Sequence, residues 1–171
     1  MAAKTVRQIR IDGNLAYVPL TKGYEAVIDA ADVHLVNMWN WRVEIKGSTI
    51  YATRNQRFEG KMIGVRMHRH IMGYPPGLEI DHKNGDGLDN RRSVNLRTAT
   101  TSQNQHNQKI RIDNASGLKG VNWENRRSKW RAQIKLNRKM HHLGYFETPE
   151  QAHAAYCDAS ARLHSEFGRT S

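Results

Sequence analysis

Between Met67 and Asn107 the chain reads MHRHIMGYPPGLEIDHKNGDGLDNRRSVNLRTATTSQNQHN, and no other stretch limits the fold as tightly. It is dense in His, Asn and Asp, and a polar stretch of this length is uncommon in a small domain unless it has a task. What it admits is a series of short elements. Glu79, Ile80, Asp81 and His82 read as a strand, Lys83 to Ser93 as a turn-rich loop, and Asn95 to Ala99 as a return strand. Thr100 followed by Gln103 is a capping-box pattern, so the spacing predicts a helix starting there with Asn104 in its first turns. The predicted order is strand, loop, strand, helix.

The chain of 171 residues allows either one domain or several small units with thin cores. Charge favours several units: 27 Lys and Arg against 16 Asp and Glu leave +11, and the nets are +2 over 1–60, +3 over 61–107 and +6 over 108–171. Such a balance, with four Trp and six Tyr, points to a polyanion and places nucleic acid first among partners. No run approaches the roughly 18 to 20 apolar residues of a membrane span, and the opening MAAKTVRQIRIDG lacks the apolar core of a secretory signal. The single Cys157 builds no intramolecular disulfide framework and no Cys-rich zinc site, so the expected setting is a reducing cytoplasm, without structural zinc.

The first third reads as a small α/β unit. Tyr17 to Leu20 and Ala26 to Ile28 suit short strands separated by the turn residues Thr21, Lys22 and Gly23. Asp32 is placed to cap a short helix burying Val33, Val36 and Trp39, and Trp41–Ile45 with Thr49–Thr53 alternate like a hairpin around Lys46, Gly47 and Ser48. Trp39 and Trp41 are both expected in the core. Near the other end, Ile110 to Gly117 suggests a joint. Beyond it Trp130, Ala132, Ile134 and Leu136 alternate with Lys129, Arg131, Gln133 and Lys135, which gives one apolar and one basic sheet face. Thr148, Pro149 and Gln151 open a helix whose buried stripe is Ala152, Ala155, Tyr156, Ala159 and Leu163.

Hydrolysis of a phosphodiester needs an activated water, neutralisation of phosphate charge and help for the departing oxygen. A hard divalent cation and one neutral His meet that need, because magnesium takes one or two protein oxygens and keeps several waters. Asp81 and an Asn amide oxygen suit such a cation, and His82 suits the base. Adjacent strand residues face opposite ways, so the pair serves one site only if a strand end or bulge redirects one of them.

The set His68-Arg69, Asp81-His82, Asn95-Leu96-Arg97 and Gln103-Asn104 resembles the HNH endonucleases, in particular the phage and intron homing group. The segment SGLKGVNWENRRSKWRAQIKLNRKMHHLGYFETPEQAHAAYCDAS resembles the APETALA or ethylene-response-factor type of DNA-binding domain, and the N-terminal third resembles, less specifically, the leader of such enzymes. The resemblance implies an α+β protein: an α/β unit at 1–60, a ββα-metal nuclease core at 61–113, and a three-stranded antiparallel sheet packed on one helix at 114–171. It implies that Asp81 and Asn104 hold the metal, that His82 is the general base, and that Asn95 holds the loop and orients His82. Here Asn90 to Asn95 carries one residue more than the family's usual spacing, so Asn90 competes for that role; Asn95 is preferred because Leu96 and Arg97 also match. His68 is expected to shape the site or touch phosphate. His68, Arg69 and Arg97 are expected at the DNA, as are Lys119, Asn122, Arg131, Gln133, Lys135, Met140 and His142 of the C-terminal sheet. The implied cofactor is Mg2+, with Mn2+ suited to the same ligands. The implied partner is double-stranded DNA, with no membrane, no small-molecule cofactor and a monomer as the preferred state. The implied location is the cytoplasm of a bacterial or phage-infected cell. Two other readings are a non-catalytic DNA-binding regulator with a decayed nuclease core, and an RNA-binding or RNA-cutting protein. Asp81, His82 and Asn104 are all present against the first, and Trp130 falls on the packed sheet face against the second.

Overall fold

Short alternating segments give short strands, and the computed structural model assembles them into four small antiparallel sheets in an α+β chain. It describes residues 5–107, 110, 114, 116–136, 139–164, 167 and 170, and the chain divides into two compact units, Met1–Thr100 and Thr101–Ser171. The joint expected between Ile110 and Gly117 lies largely outside the described residues.

In the first unit, β1 (Arg10–Asp12), β2 (Leu15–Pro19) and β3 (Glu25–Asp29) form a meander. The register pairs Ala16 with Ile28 and Val18 with Ala26, so all four side chains share one buried face. The expected turn is a 3-10 turn over Thr21–Gly23, where Lys22 (φ 60°) and Gly23 (φ 76°) both take the left-handed region. A second meander joins β4 (Arg42–Lys46), β5 (Thr49–Phe58) and β6 (Lys61–Arg66). The predicted hairpin is its first half. β1 and the β5–β6 ribbon beyond Arg54 have no such pattern, because residues 10–12, 55–58 and 61–64 are exposed on both faces.

Helix α1 (Val33–Val36) is a single turn, and it changes two expectations. It ends before Trp39, which stays 37% exposed while Trp41 is fully buried, so only Trp41 belongs to the core. Trp41 donates its Nε1–H to the Val36 carbonyl at 3.0 Å. Asp32 precedes α1 but makes no side-chain cap bond; its buried carboxylate pairs with Arg92 at 2.6 Å. The core joins Trp41, Ile28 and Val36 to Met67 and Ile71 of α2 (Met67–Ile71), Ile80 of β7 (Glu79–His82) and Leu96 of β8 (Leu96–Ala99).

The second unit begins with α3 (Thr101–His106) and contains the sheet β9 (Val121–Glu124), β10 (Lys129–Leu136) and β11 (Lys139–Phe146), packed on α4 (Pro149–His164). The capping box forms: the Thr148 N–H donates to Gln151 Oε1 and the Gln151 N–H to Thr148 Oγ1, both at 3.3 Å. Ala152, Tyr156 and Ala159 are buried as expected, whereas Leu163 is 43% exposed and the buried stripe ends at Ser160. Small residues let the helix approach closely. Gly120 (φ 77°) lies so near Tyr156 that a Cβ there would meet the ring at 2.0 Å. In β11, Leu143 is the extra residue of a bulge, since Ala132 pairs with Gly144 and Gln133 with His142. No helix among the described residues is long and apolar enough to cross a membrane.

Candidate active site

The polar loop between β7 and β8 has no apolar pattern, and side-chain hydrogen bonds define it instead. Asn84 donates through Nδ2 to Asp89 at 2.9 Å, and Arg91 closes on Asp89 with two bonds of 2.7 Å. Asn95 donates to the Asp89 carbonyl at 2.6 Å and accepts the Asn84 N–H at 3.0 Å, spanning the loop from end to end. Strand β3 pins the same loop: the Val27 N–H donates to the Leu88 carbonyl at 2.9 Å, and the Asn90 N–H to the Val27 carbonyl at 2.7 Å. Asp29 accepts from the Ser93 N–H at 2.9 Å and its hydroxyl at 2.7 Å. At Gly87 the loop lies so close to β5 that a Cβ would stand 2.3 Å from the Ile50 carbonyl oxygen and 2.7 Å from the Tyr51 ring.

This frame brings His82, His68, Tyr51 and Asn90 together. His82 ends β7, paired with Leu96, and its ring stands 4.8 Å from that of His68, edge to face. Tyr51 lies 5.7 Å from the His68 ring and 6.1 Å from the His82 ring, with Arg66 over its own face at 4.5 Å. Both histidines and Asn90 are buried, and His82 Nε2 meets Asn90 Oδ1 at 3.4 Å. The two tasks expected of Asn95 are thus divided: Asn95 braces the loop, and Asn90 meets the imidazole. The extra residue between them separates the two amides along the chain.

Burial is the largest influence on His82 and lowers its pKa from the ordinary 6.5, while Asn90 and the carboxylates of Asp81, Asp86 and Asp89 pull the other way. His68 falls well below that value, through burial first and then the nearby His82, Arg66 and Arg69. Both rings are therefore neutral near pH 7. With Nε2–H donating to Asn90 Oδ1, the lone pair of His82 lies on Nδ1, the nitrogen able to take a proton. His68 Nδ1 is buried without a hydrogen-bond partner among the described residues.

Asp81 follows a different path. It pairs with Arg97 across the β7–β8 ladder, where Arg97 Nε donates to Asp81 Oδ2 at 2.8 Å and both side chains are buried. No bulge interrupts this ladder, so the alternation sets Asp81 and His82 on opposite sides of β7, with His82 at its terminus. Arg97, expected at the DNA, is engaged with Asp81 instead. Arg69 is half-buried and donates to the Leu78 carbonyl at 3.4 Å. Asn104 is half-buried on α3, in the second unit. As donors, a carboxylate and an amide oxygen fit a hard cation that keeps most of its water.

On the second unit, residues opposite one another in the ladder share a face. Arg131 pairs with Asn122 and Tyr145, Gln133 with His142, and Lys135 with Met140. Six of the seven expected sheet residues therefore lie on one face. Asn122, Lys135, Met140 and His142 are exposed, and Arg131 and Gln133 are half-buried. Lys119 precedes β9 and accepts at its carbonyl from His153 Nδ1 at 3.1 Å. Sequence reasoning missed Tyr145, whose ring is tilted against that of His142 at 4.4 Å and covered by Arg127 at 4.7 Å, and Glu124, which pairs with Arg131 at 3.3 Å. The two-residue alternation of β10, extended across the ladder, would have found both. Tyr51 left no such signal.

A buried His on a strand end, a second His on a short helix beside it and an Asn-rich loop lie together within residues 65–106, from β6 to α3, the stretch that the HNH endonuclease family model matches. The chain belongs to the HNH endonuclease family. Among known proteins it is similar to Protein 3.8 of Escherichia phage T7, at 34% identity over 95 residues, 56% of this chain and 77% of the phage protein. No solved structure matches it significantly.

Proposed function

We propose that this protein is a metal-dependent endonuclease of double-stranded DNA, of the homing type, with site recognition aided by the C-terminal sheet. The observation that supports it most is the buried, neutral His82 held through Nε2 by Asn90. Water attacks the scissile phosphorus while His82 Nδ1 takes its proton. The bond between phosphorus and the 3′ oxygen breaks, the departing 3′ oxygen takes a proton from solvent, and the ends are 5′-phosphate and 3′-hydroxyl. Asp81 and Asn104 are the proposed ligands for Mg2+ or Mn2+, both by the sequence resemblance alone. When bound there, the cation would neutralise charge on the phosphate and the departing oxygen. His68 shapes the site or touches phosphate.

The functional division follows 1–60, 61–113 and 114–171. In the first segment, β3 and Tyr51 support the nuclease loop; in the last, the face bearing Arg131, Gln133 and Lys135 lies in the major groove in the manner of an APETALA-type sheet. The protein acts as a monomer in the cytoplasm of a bacterial or phage-infected cell. The test is incubation of the full chain with plasmid and phage DNA, with and without magnesium, and mapping of the ends. His82→Ala should lose about 100- to 10,000-fold in cutting rate and keep its DNA affinity in EDTA. Parent-rate cutting by His82→Ala would remove the proposed base, and cutting of RNA but not DNA would overturn the substrate.

A further inference from the structure

The first unit has a second hollow that the nuclease chemistry does not use. It encloses about 560 Å³ between Trp39, Arg54, Gln56, Ile63, His70 and Tyr74. A neighbouring hollow of about 320 Å³ shares Trp39 and Arg54. Both lie within the range of about 300 to 1,000 Å³ usual for small-ligand sites.

Arg54 is the unusual residue here. It is 7% exposed, and its guanidinium lies 4.1 Å from the Trp39 ring centre and 5.5 Å from that of Trp41. Among the described residues no carboxylate pairs with it, and its Nε has no acceptor. Burial lowers its pKa below the usual arginine value, as expected of a cation short of compensation. Buried charges are ordinarily paired, so an anion from outside the chain fits.

The walls add a second requirement. Trp39 and Tyr74 are 37% and 44% exposed, and a network fixes both rings. The Tyr74 hydroxyl meets His70 Nδ1 at 3.4 Å, His70 Nε2 meets the Leu35 carbonyl at 2.9 Å, and the Trp39 and His70 rings meet edge to face at 5.0 Å. Tyr74 itself is held at φ 52°, in the left-handed region. Half-open aromatic rings beside a lone buried cation suit a ligand that is both planar and anionic. In a nuclease-family chain of charge +11, that ligand is a nucleotide. Bases inside a duplex are stacked and hide their faces, so the nucleotide must be unpaired.

We propose that this hollow binds one unpaired nucleotide of the nucleic-acid substrate, its base against Trp39 and Tyr74 and its phosphate on Arg54. The inference rests on nucleic acid being the substrate and not on the assigned catalytic roles. Position supports it. Residues two apart on a helix lie on roughly opposite sides, and α2 carries His68 at the nuclease site and His70 at the hollow. On β5, Tyr51 and Arg54 are separated by about 10 Å of strand. A strand opened at the active site can therefore set a neighbouring nucleotide here.

The test measures binding in EDTA, where nothing is cut, so its outcome is separate from that of the cleavage reading. The full chain is titrated with an end-labelled oligothymidylate of about ten nucleotides, a length within single-strand site sizes, and with a duplex of equal length. Trp39→Leu and Tyr74→Leu should each weaken single-strand binding by about 5- to 150-fold, the equivalent of about 1 to 3 kcal/mol of stacking, and change duplex binding by less than about twofold. An oligomer of the same phosphates with abasic sugars should bind the parent protein no better than oligothymidylate binds Trp39→Leu. Photo-crosslinking of the parent chain to a 5-iodouracil oligomer, read by mass spectrometry, needs no variant and should label Trp39 or Tyr74. Unchanged single-strand binding in both variants, equal binding of the abasic oligomer, or crosslinks confined to other residues would overturn the proposal.

Discussion

Replacing Arg97 by Leu tests how Asp81 is held. The pair lies across the β7–β8 ladder, with Arg97 Nη2 and Nε both 2.8 Å from Asp81 Oδ2 and side-chain exposures of 10% and 5%. Removing one partner of a buried pair costs roughly 3 to 5 kcal/mol, because the other charge is left without compensation. The first unit spans 100 residues, a size at which each kcal/mol shifts the melting temperature by about 4 to 8 °C. Arg97→Leu should therefore melt at least about 12 °C below the parent in EDTA, followed by far-ultraviolet circular dichroism. Adding Asp81→Asn removes the stranded charge, and since neutral replacements of a buried pair are close to energetically even, the double variant should recover more than half of the loss. Magnesium supplies a further arm. A cation bound only by the folded state at about 100 times its Kd adds roughly 2.7 kcal/mol. On the proposed assignment of Asp81 to the cation, magnesium adds counter-charge beside Asp81 once Arg97 is gone, so Arg97→Leu should gain more from magnesium than the parent, and the double variant should gain least. A single-variant loss below about 1 kcal/mol, or equal magnesium gains in the single and double variants, would refute the reasoning.

Four further outcomes are expected. Asn90→Ala should slow cutting by at least about tenfold with little change in DNA affinity, whereas Asn95→Ala, which frees two loop bonds, should lower the melting temperature first; each lost bond to a buried amide is worth about 1 to 3 kcal/mol. Arg91 holds the Asp89 pKa below its ordinary 3.8, so the pair's contribution is present above that pH and fades as pH falls through the lower folded value; Asp89→Asn should flatten this acid-side slope in thermal melts. Gly120→Ala should destabilise the second unit by more than about 1 kcal/mol in the same assay, since the position is both left-handed and closed by Tyr156. Arg131→Ala with Gln133→Ala should cost about 1 to 3 kcal/mol per lost base contact on a preferred duplex and much less on random duplex in competition binding; equal losses would reduce the face to a phosphate grip.

What the sequence displays is what periodicity encodes. Strand β10 alternates, so Arg131, Gln133 and Lys135 could be placed on one face before any coordinates, and the ladder then carried Asn122, His142 and Met140 to the same side. The bulge at Leu143 kept that alignment, since without it His142 would fall on the packed face. Motif spacing singled out His68, Asp81 and His82, of which the fold brings His68 and His82 together. It could not assign the amides, because Asn90 and Asn95 differ by where a non-periodic loop folds back, and that depends on Asp89, Arg91 and the edge of β3. Trp39 was misplaced for a similar reason: helical spacing from Val33 assumes a helix longer than the single turn that forms.

The family match begins at residue 65, yet the loop inside it is also held by residues before that point. Val27 supplies one backbone acceptor and one donor to Asn90 and Leu88, Asp29 takes two bonds from Ser93, and Asp32 pairs with Arg92. Tyr51 fills the space that Gly87 leaves open and stands beside both histidines. A loop with no apolar stripe cannot choose one conformation by burial, so its shape depends on hydrogen bonds to a frame that is itself rigid. The β1–β3 meander, with Ala16, Val18, Ala26 and Ile28 locked in one face, is that frame. His82 is thus aligned by Asn90, Asn90 by Val27, and Val27 by the core of a segment that lies before the family match.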